Sequence, residues 1–518
     1  MNKNLIILSL ILVVFLVGCN PIFQREDRLD YRDLDFDLEK IQLTKTFHQT
    51  QPYAEFLTKG SIQEDKKLRL LISAGLSEAS GLKINRITRD NNNLNIYLET
   101  IKEEKNDLSI PQAIVLLDPE DIDRPDKFTF NIINENSEAI LLKLAFNEAL
   151  SIAESSFKLS TVSSPKVNLY KEGDDLIWDI DYEAVMDKSE KDLPLVSLCV
   201  KIDANTGKII YENKEVISKP LDAGNILSLF KGKYLFYKKK VQDKNVPREE
   251  LWLYNVYNAS KTLLFSSEYP ISSPHVSTNL AYISFIETTD LASNLYIVPK
   301  TSRKAYKLSL EKNIDPVIAD WINYRKLCLV EHSDNNSIFY EYDIVTDELK
   351  KLGSLDLKVA SLSTRNNNYC LLEEDDSGFN DNIYLTRDFK DYRMVAKGYN
   401  PRFLNNDNLV YMESKEGKEE NIVHIYNLTR AEDKFKFEGM IPSYQIIDDY
   451  NILYPIKSDN QKSYSLNKYI SYSDSLVEMG DSLTTKAFYS KLDNNFYINL
   501  SSPVENDSNM LIYPIKNK

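Results

Sequence analysis

The chain begins with an apolar segment that is too short to span a membrane. After Met1-Asn-Lys-Asn, the residues from Leu5 to Val17 are apolar except for Ser9. A helix needs about 20 apolar residues to cross a bilayer, so this run of roughly a dozen has the layout of a secretory signal peptide. We therefore expect residues 1–18 to be removed on export.

The next periodic segment predicts a helix followed by strands. Over residues 139–155, apolar side chains recur every three or four residues, which predicts an amphipathic helix. Strand-like segments follow around Trp178 and at Val196–Ile202, and a turn begins at Asp203. Asp203 can accept hydrogen bonds from the backbone just after it, and Gly207 can adopt a positive φ, so this turn predicts a hairpin.

From about residue 221 onward, pairs of short apolar strands recur along the chain. The second strands of these pairs start 40–46 residues apart. This period is typical of β-propeller blades, because one blade buries its faces only against its neighbours. Seven repeats can be counted, and six or eight blades stay open because an end repeat can complete a neighbour. The second strands begin at Leu251, Leu295, Phe339, Ile383, Val423, Tyr464 and Met510.

These patterns predict a mainly β, multidomain protein. Residues 19–50 are charged and low in aliphatic side chains, which indicates a solvated tether. Residues 51–137 contain alternating strand segments and predict a small β-rich domain. Residues 138–219 predict an α+β domain, and residues 220–518 predict a β-propeller.

Composition limits the kinds of partner. The 518 residues carry 63 Lys and Arg against 78 Asp and Glu, which gives a formal net charge of −15. An acidic, exported chain is poorly suited to bind nucleic acid through charge, so we expect no nucleic-acid partner. Cys199, Cys328 and Cys370 lie in apolar strand-like runs, which favours buried free thiols over disulfides.

Motifs that carry chemistry are scarce. The four histidines, His48, His275, His332 and His424, match no zinc-binding spacing. No G-x-S-x-G motif or phosphate loop occurs, and the acidic segment 373–381 lacks the spacing of calcium loops, which favours a solvated hairpin loop. The sequence therefore predicts no catalytic residue, no metal site and no cofactor.

The end of the first apolar run, Leu16-Val17-Gly18-Cys19, resembles the lipobox of bacterial lipoproteins. This resemblance implies cleavage before Cys19 and attachment of diacylglyceryl and acyl chains, such as palmitate, to that residue. More than one acyl chain is what stable anchoring needs. We therefore expect a protein of the cell membrane, lipid-anchored at its extracytoplasmic face.

Two further resemblances concern the folded domains. The order of helix, Trp178 strand, strand, Asp203-Ala-Asn-Thr-Gly-Lys turn and strand resembles the PepSY domain. That resemblance implies a non-catalytic module that restrains peptidases or mediates contacts. The period of residues 220–518 resembles TolB-like and WD40-like propellers, although the S-P-D-G turn of TolB-like blades survives only as Ser273-Pro-His-Val.

The expected function is a non-catalytic binding platform. Propeller peptidases of related build carry a hydrolase domain after the propeller, and this sequence ends with the repeats, so we expect that the chain is not an enzyme. Its propeller would bind a protein, a peptide or a glycan, and the PepSY-like module could restrain an exported peptidase. The alternative is a propeller-type lyase or hydrolase that acts on cell-surface polysaccharide.

We expect the substitution Cys19→Ser to abolish lipid attachment, because the thiol is the group at this site that can take up a diacylglyceryl chain. The variant should lose its acyl mass in mass spectrometry and should no longer be retained by lipid in the membrane fraction. Cys199→Ser is the matched control and should leave both properties unchanged. An unchanged acyl mass in Cys19→Ser would rule out this assignment.

Overall fold

The computed structural model describes residues 31–57, 67–102, 107–122, 124–157, 159–161, 165–243, 246–310, 314–374, 380–457, 464–482, 484–501 and 510–517. The predicted signal peptide, residues 1–18, and Cys19 lie outside the described residues, as do residues 375–379 of the acidic segment. In the described part, no helix is long and apolar enough to cross a membrane.

The chain is mainly β and divides into two compact units. The first unit comprises Met1–Ser156, Lys166–Asp181 and Cys199–Asn213, and the second comprises Phe157–Pro165, Tyr182–Leu198 and Lys214–Lys518.

Two four-stranded sheets enclose a hydrophobic core in the first unit. Their strands are β1 (Arg32–Leu34), β2 (Phe36–Thr44), β3 (Tyr53–Phe56), β4 (Leu68–Ser73), β5 (Gly81–Asp90), β6 (Asn93–Ile101), β7 (Ile110–Leu117) and β8 (Thr129–Asn134). A short 3-10 helix, Pro125–Lys127, precedes β8. The strand orders are β1-β5-β6-β8 and β2-β7-β4-β3, and only the β6–β8 pair is parallel.

Alternation of side chains creates this core. On β6, Leu94, Ile96 and Leu98 are fully buried, whereas the residues between them are only partly buried. They pack in one cluster with aliphatic side chains of the other sheet, including Ile72 and Val115. This is the packing expected when every second residue of a strand faces the same side.

Part of the predicted tether is folded. Strands β1 and β2 lie within residues 19–50, and β2 is an edge strand with mostly exposed side chains. Its carboxylates form ion pairs, Asp37 with Lys67 and Glu39 with Arg69. Charged side chains on an exposed edge strand discourage pairing with other chains. They also leave no alternating apolar pattern in the sequence, so the composition of this segment indicated a solvated tether.

A helix and a five-stranded sheet follow. They comprise α1 (Phe146–Phe157), β9 (Leu159–Thr161), β10 (Lys166–Glu172), β11 (Asp175–Asp187), β12 (Leu195–Asp203) and β13 (Ile209–Ser218). The strand order is β10-β11-β12-β13, and β9 pairs with β11. Asp203 Oδ1 accepts hydrogen bonds of 2.8 Å from the backbone N–H groups of Asn205 and Thr206, and Gly207 has a φ of 72°. The predicted turn is confirmed.

The helix begins later than the sequence pattern predicted. Residues 139–145 are not helical, and the backbone N–H of Leu144 donates to the carbonyl oxygen of Ala204. At the helix start, the Glu148 carboxylate accepts a hydrogen bond of 2.8 Å from the N–H of Ala145, which satisfies one of the free donors there. The apolar period continues through residues 139–145, but their backbone is committed to other partners.

The second unit is built from a recurring four-strand motif. Its further strands are β14 (Asp222–Ala223), β15 (Asn225–Phe230), β16 (Tyr234–Asp243), β17 (Val246–Asn255), β18 (Ser260–Ser267), β19 (His275–Val276), β20 (Tyr282–Thr288), β21 (Ser293–Pro299), β22 (Tyr306–Lys307), β23 (Pro316–Trp321), β24 (Lys326–Ser333), β25 (Asn336–Asp343), β26 (Glu348–Leu355), β27 (Val359–Arg365), β28 (Asn368–Glu373), β29 (Asp381–Thr386), β30 (Tyr392–Phe403), β31 (Asn408–Ser414), β32 (Asn421–Asn427), β33 (Glu432–Gly439), β34 (Gln445–Asp448), β35 (Asn451–Lys457), β36 (Tyr464–Ile470), β37 (Ser475–Ser482), β38 (Ala487–Ser490), β39 (Asn495–Ser501) and β40 (Met510–Lys516).

Most repeats are separate four-stranded antiparallel sheets: β15–β18, β19–β22, β23–β26 and β34–β37. A seven-stranded sheet, β27–β33, contains two repeats, because β30 pairs with β29 through residues 392–398 and with β31 through residues 399–403. Gly398 lies where the strand changes partner, and a Cβ atom there would collide with the carbonyl oxygen of Met412. Only glycine allows this close approach of backbones.

The last repeat takes its fourth strand from the beginning of this region. Strands β38, β39 and β40 are consecutive, and β14 pairs antiparallel with β40. Asn499 strengthens this junction, since its Nδ2 donates to the carbonyl oxygen of Gly224 at 2.7 Å and its Oδ1 accepts from the N–H of Ile226 at 2.8 Å. The described part of the unit therefore contains seven four-strand repeats, with the first fastened to the last.

Hydrophobic clusters join neighbouring repeats. Phe339 of β25 and Val359 of β27 belong to one buried cluster, and Ile297 of β21 and Leu329 of β24 belong to another. The repeats are therefore stabilised by stacking on one another, as in other repeat proteins.

We expect Asn499→Ala to lower the free energy of unfolding of the second unit by about 2 kcal/mol, because a buried N–H and a carbonyl group lose their partner. Urea unfolding of the full chain, followed by circular dichroism, measures this change.

The matched control is Asn495→Ala on the same strand, whose side-chain amide donates within its own turn to Asp493. This variant should stay within about 0.5 kcal/mol of the unsubstituted protein. Equal effects of the two substitutions would show that Asn499 contributes nothing special to the junction.

Candidate functional site

A histidine and an aspartate meet on the first strands of two consecutive repeats. His275 lies on β19 and Asp320 on β23, and His275 Nδ1 is 2.9 Å from Asp320 Oδ1. Their side chains are 27% and 16% exposed, so the pair is half-buried but within reach of solvent. One repeat separates the two residues in sequence, and stacking of the repeats brings them together.

Both oxygens of the Asp320 carboxylate form hydrogen bonds. Its Oδ1 also accepts a hydrogen bond from the N–H of Trp321 at 2.9 Å, and its Oδ2 accepts one from the N–H of Thr364 at 2.8 Å. Burial by itself would raise the pKa of Asp320, but the hydrogen bond and charge of His275, with the charge of Arg402, hold that pKa below its ordinary value. Asp320 is therefore ionised at neutral pH.

An ionised Asp320 decides which ring nitrogen of His275 faces it as a donor. A carboxylate can only accept, so Nδ1 donates to it, and Nε2 is the nitrogen that carries the lone pair whenever the ring is neutral. Within the described part of the chain, Nε2 has no hydrogen-bond partner. The backbone of His275 is fixed as well, because its carbonyl oxygen accepts a hydrogen bond of 3.3 Å from Trp321 Nε1. The arrangement is that of an oriented general base.

Two further side chains border the pair. Arg402 of β30 is half-buried, and its Nη1 donates to the carbonyl oxygen of Leu362 at 3.5 Å. Ser284 of β20 lies directly opposite His275 in the antiparallel pair, so both side chains face the same side of the sheet. We refer to His275, Asp320, Thr364 and Arg402 as the first-strand cluster.

Sequence reasoning did not single out this cluster. His275 appeared in the sequence analysis as one of four histidines without metal-binding spacing and as part of a degenerate turn, because the first strands are too short and too polar to show a strand pattern. A positional signal was present nonetheless, since three cluster residues lie six or seven residues before the start of the next strand. These are His275 before β20, Asp320 before β24 and Arg402 before β31.

The remaining histidines have structural surroundings. His424 is only 7% exposed, and its two ring nitrogens each lie 2.9 Å from a carboxylate oxygen, of Glu413 and of Asp433. His332 Nε2 lies 3.0 Å from the carbonyl oxygen of Val359. His48 packs against an aromatic ring, with centroids 4.0 Å apart.

The first unit contains a second group of ionisable side chains, beside a cavity of about 490 Å³. Asp179, Asp181 and Cys199 each offer one ligand atom, and these atoms lie within 4.8 Å of one another, so the group could hold a metal ion. Burial, together with Asp181 and Asp179, raises the pKa of Cys199 to about 12. The thiol is therefore protonated, and its Sγ lies 3.6 Å from Asp179 Oδ1. The cavity is lined by Tyr170, Glu172, Ile177, Asp179, Cys199, Lys201, Ile210 and Tyr211.

Comparison with known proteins finds similarity at the level of structure. No protein-family model matches this sequence, and none of the curated proteins matches it. Oligogalacturonate lyase from Vibrio parahaemolyticus is similar with a TM-score of 0.42 at 11% identity, covering 62% of this chain and 96% of the lyase. TolB from Acinetobacter baumannii has a TM-score of 0.35 at 11% identity, covering 68% and 87%. The β-propeller domain of the trilobed protease from Pyrococcus furiosus has a TM-score of 0.40 at 13% identity, covering 57% and 96%.

These similar structures are β-propeller proteins, and they correct one prediction. The sequence analysis expected that the chain is not an enzyme, because no hydrolase domain follows the repeats. Oligogalacturonate lyase is an enzyme and is covered over 96% of its length by the similarity to this chain. The expectation was wrong because it assumed that an enzyme of this build must carry a separate hydrolase domain after the repeats.

We expect Cys199 to react slowly with iodoacetamide at pH 8. A thiol pKa of about 12 leaves only ~10⁻⁴ of the group as the reactive thiolate. Asp181→Asn should lower this pKa and accelerate alkylation roughly tenfold for each unit of pKa lost. Peptide mass spectrometry over time reports the modification of each cysteine separately.

Asp175→Asn on the same strand removes the same charge away from the thiol and serves as the control. Its alkylation rate should match that of the unsubstituted protein. Fast alkylation of Cys199 in the unsubstituted protein would contradict the raised pKa.

Proposed function

We propose that this chain is a lipid-anchored enzyme of the cell envelope, a propeller-type lyase or hydrolase that acts on cell-surface polysaccharide. The observation that carries this proposal is the 2.9 Å contact between His275 Nδ1 and Asp320 Oδ1, which leaves Nε2 as a base. The remaining features decide where the reaction would take place and which reaction class fits.

The seven repeats are assigned as the blades of one propeller. Pairing of β14 with β40 supports a closed ring, because the first segment of the region completes the last sheet. In a closed propeller the first strand of each blade lies nearest the central channel. His275 and Asp320 both lie on first strands, so the base would act at the channel.

The chemistry available is proton transfer. His275 Nε2 would take a proton from a sugar carbon in a lyase, or from a water molecule in a hydrolase, and Asp320 would stabilise the imidazolium that forms. Glycoside hydrolysis normally uses two carboxylic side chains that flank the bond to be cleaved. Asp320 is the carboxylate of this cluster, and both its oxygens already accept hydrogen bonds. A single oriented base favours the lyase reaction.

Location and domain structure support a role at the cell surface. The lipobox-like sequence ending in Cys19 supports a lipid anchor, which would hold the enzyme at the extracytoplasmic face of the membrane. A PepSY-like assignment for residues 138–219 is supported by the order of α1 and β10–β13. Trp178 Nε1 donates to the carbonyl oxygen of Leu144 at 3.1 Å, which anchors the segment before the helix to the sheet.

A second candidate function is a binding platform for a protein, a peptide or a glycan. The cavity beside β10–β13 favours it, because Tyr170 and Tyr211 offer ring faces and Lys201 and Asp179 offer a donor and an acceptor. Such a mixture of aromatic and charged side chains is common at binding sites. This module would hold a partner, such as an exported peptidase, without taking part in the reaction at the cluster.

We expect His275→Gln to reduce turnover of the substrate roughly 10²- to 10⁴-fold, the usual contribution of a positioned base. The full chain in detergent is incubated with a panel of cell-surface polysaccharides, and new reducing ends and unsaturated sugars are measured.

His332→Gln is the matched control, because His332 bonds to a backbone carbonyl outside the cluster. It should keep full activity. Activity in His275→Gln equal to that of the control would refute the assigned base, and no turnover on any polysaccharide would refute the enzyme.

A further inference from the structure

We infer that the first-strand cluster receives an oxyanion of its ligand, bound by the guanidinium of Arg402, whose charge acts on Asp320 in the same cluster. This inference rests on the proposed function, since it names the class of substrate that the cluster would take. It is carried by the surroundings of Arg402, by a second basic side chain beside a first strand, and by an unsatisfied hydroxyl next to His275.

Arg402 lacks the carboxylate partner that several half-buried basic side chains of the second unit have. Lys238 and Lys326 lie 3.0 and 2.7 Å from glutamate oxygens, and Arg325 lies 3.0 Å from Asp343. Among the described residues, no carboxylate oxygen lies within 4.0 Å of Arg402, and its recorded hydrogen bond is the 3.5 Å contact to Leu362. Such a guanidinium is conspicuous in a chain with 78 acidic and 63 basic residues.

The carboxylate of Asp320 does not supply the partner that Arg402 lacks. Asp320 feels the charge of Arg402, but both its oxygens are engaged by His275 and by backbone N–H groups. A guanidinium offers five N–H donors in a planar fork that fits the two oxygens of a carboxylate or phosphate. Most donors of Arg402 therefore have no partner in the described part of the chain and suit an incoming oxyanion.

A second basic side chain lies beside another first strand. Lys486 directly precedes β38 and is an exposed residue, although partial desolvation of its ammonium group lowers the pKa of that group. Its charge has no ion-pair partner among the described residues, and its Nζ lies 5.2 Å from the centre of the Phe488 ring. An anionic polymer could offset both unpaired charges, Arg402 and Lys486, whereas a neutral polymer could offset neither.

The third observation concerns the neighbour of His275. Ser284 is 1% exposed, and its Oγ has no hydrogen-bond partner in the described structure. An unsatisfied buried hydroxyl is unfavourable when nothing compensates for it. An unused donor therefore lies beside the first-strand cluster, on the same face of the sheet as the imidazole of His275.

Binding to the full chain in detergent tests the inference. Three polymers of similar length are compared by isothermal titration calorimetry: a uronic-acid polymer, a glycerol-phosphate polymer and neutral dextran. We expect one of the anionic polymers to bind and dextran not to bind. The two anionic arms distinguish a carboxylate from a phosphate, and either result supports the oxyanion. Equal binding of dextran would overturn it.

Arg402→Gln should weaken binding of the anionic polymer about 10- to 100-fold, because charge-assisted hydrogen bonds are lost. Arg402→Lys should recover part of this loss, since it keeps the charge but not the fork. Arg393→Gln on the same strand, whose exposed side chain contacts the carbonyl oxygen of Leu428, is the control and should bind normally. If Arg402→Gln is unstable, Lys486→Gln tests the same prediction with an expected loss of several-fold.

Failure of the inference can be told apart from failure of the proposed function. Turnover is the readout for His275→Gln, and polymer binding is the readout for Arg402→Gln and Lys486→Gln. Equal binding by Arg402→Gln, Lys486→Gln and the control would overturn the oxyanion site even if turnover still depended on His275. Binding that depends on Arg402 without turnover of any polymer would preserve the site and refute the enzyme.

Discussion

Pairing of β14 with β40 is the contact on which the arrangement of the repeats depends. Each repeat buries its faces against its neighbours, so a row of repeats leaves two uncovered ends. Asp222 and Ala223 remove this problem by completing the last sheet, and Asn499 bonds to the backbone on the other side of the junction. Closure also protects strand edges that would otherwise pair with other chains.

The same stacking produces the first-strand cluster. Side chains on the first strand of one repeat accept hydrogen bonds from the backbone of the next first strand, as Gln445 does from Tyr489 at 2.9 Å. Asp320 occupies this kind of position toward Thr364, and with its other oxygen it also orients His275. A structural contact between repeats thus positions the imidazole of His275, because the rigidity that stacking requires also fixes the orientation of the ring.

The sequence predicts those strands whose buried side chains produce an apolar run. Within each four-strand repeat, the strand in second position, such as β24 or β31, is largely buried and appears in the sequence as an apolar run. The fourth strands, such as β26 and β33, are mostly exposed and show no such run. The first strands are short and carry polar side chains, so the strands that hold the cluster were the ones that the pattern could not reveal.

The sequence by itself determined the repeat period, the strand pairs, the hairpin turn at Asp203 and the prediction for Cys19, because each depends on residues close together in the chain. Only the tertiary structure decided that His275 meets Asp320, that Arg402 has no carboxylate beside it among the described residues, and how strongly the surroundings of Cys199 suppress its ionisation. These properties depend on register between strands one repeat apart and on burial by several elements at once. The local sequence pattern carries no information about the register of distant strands or about burial by distant elements.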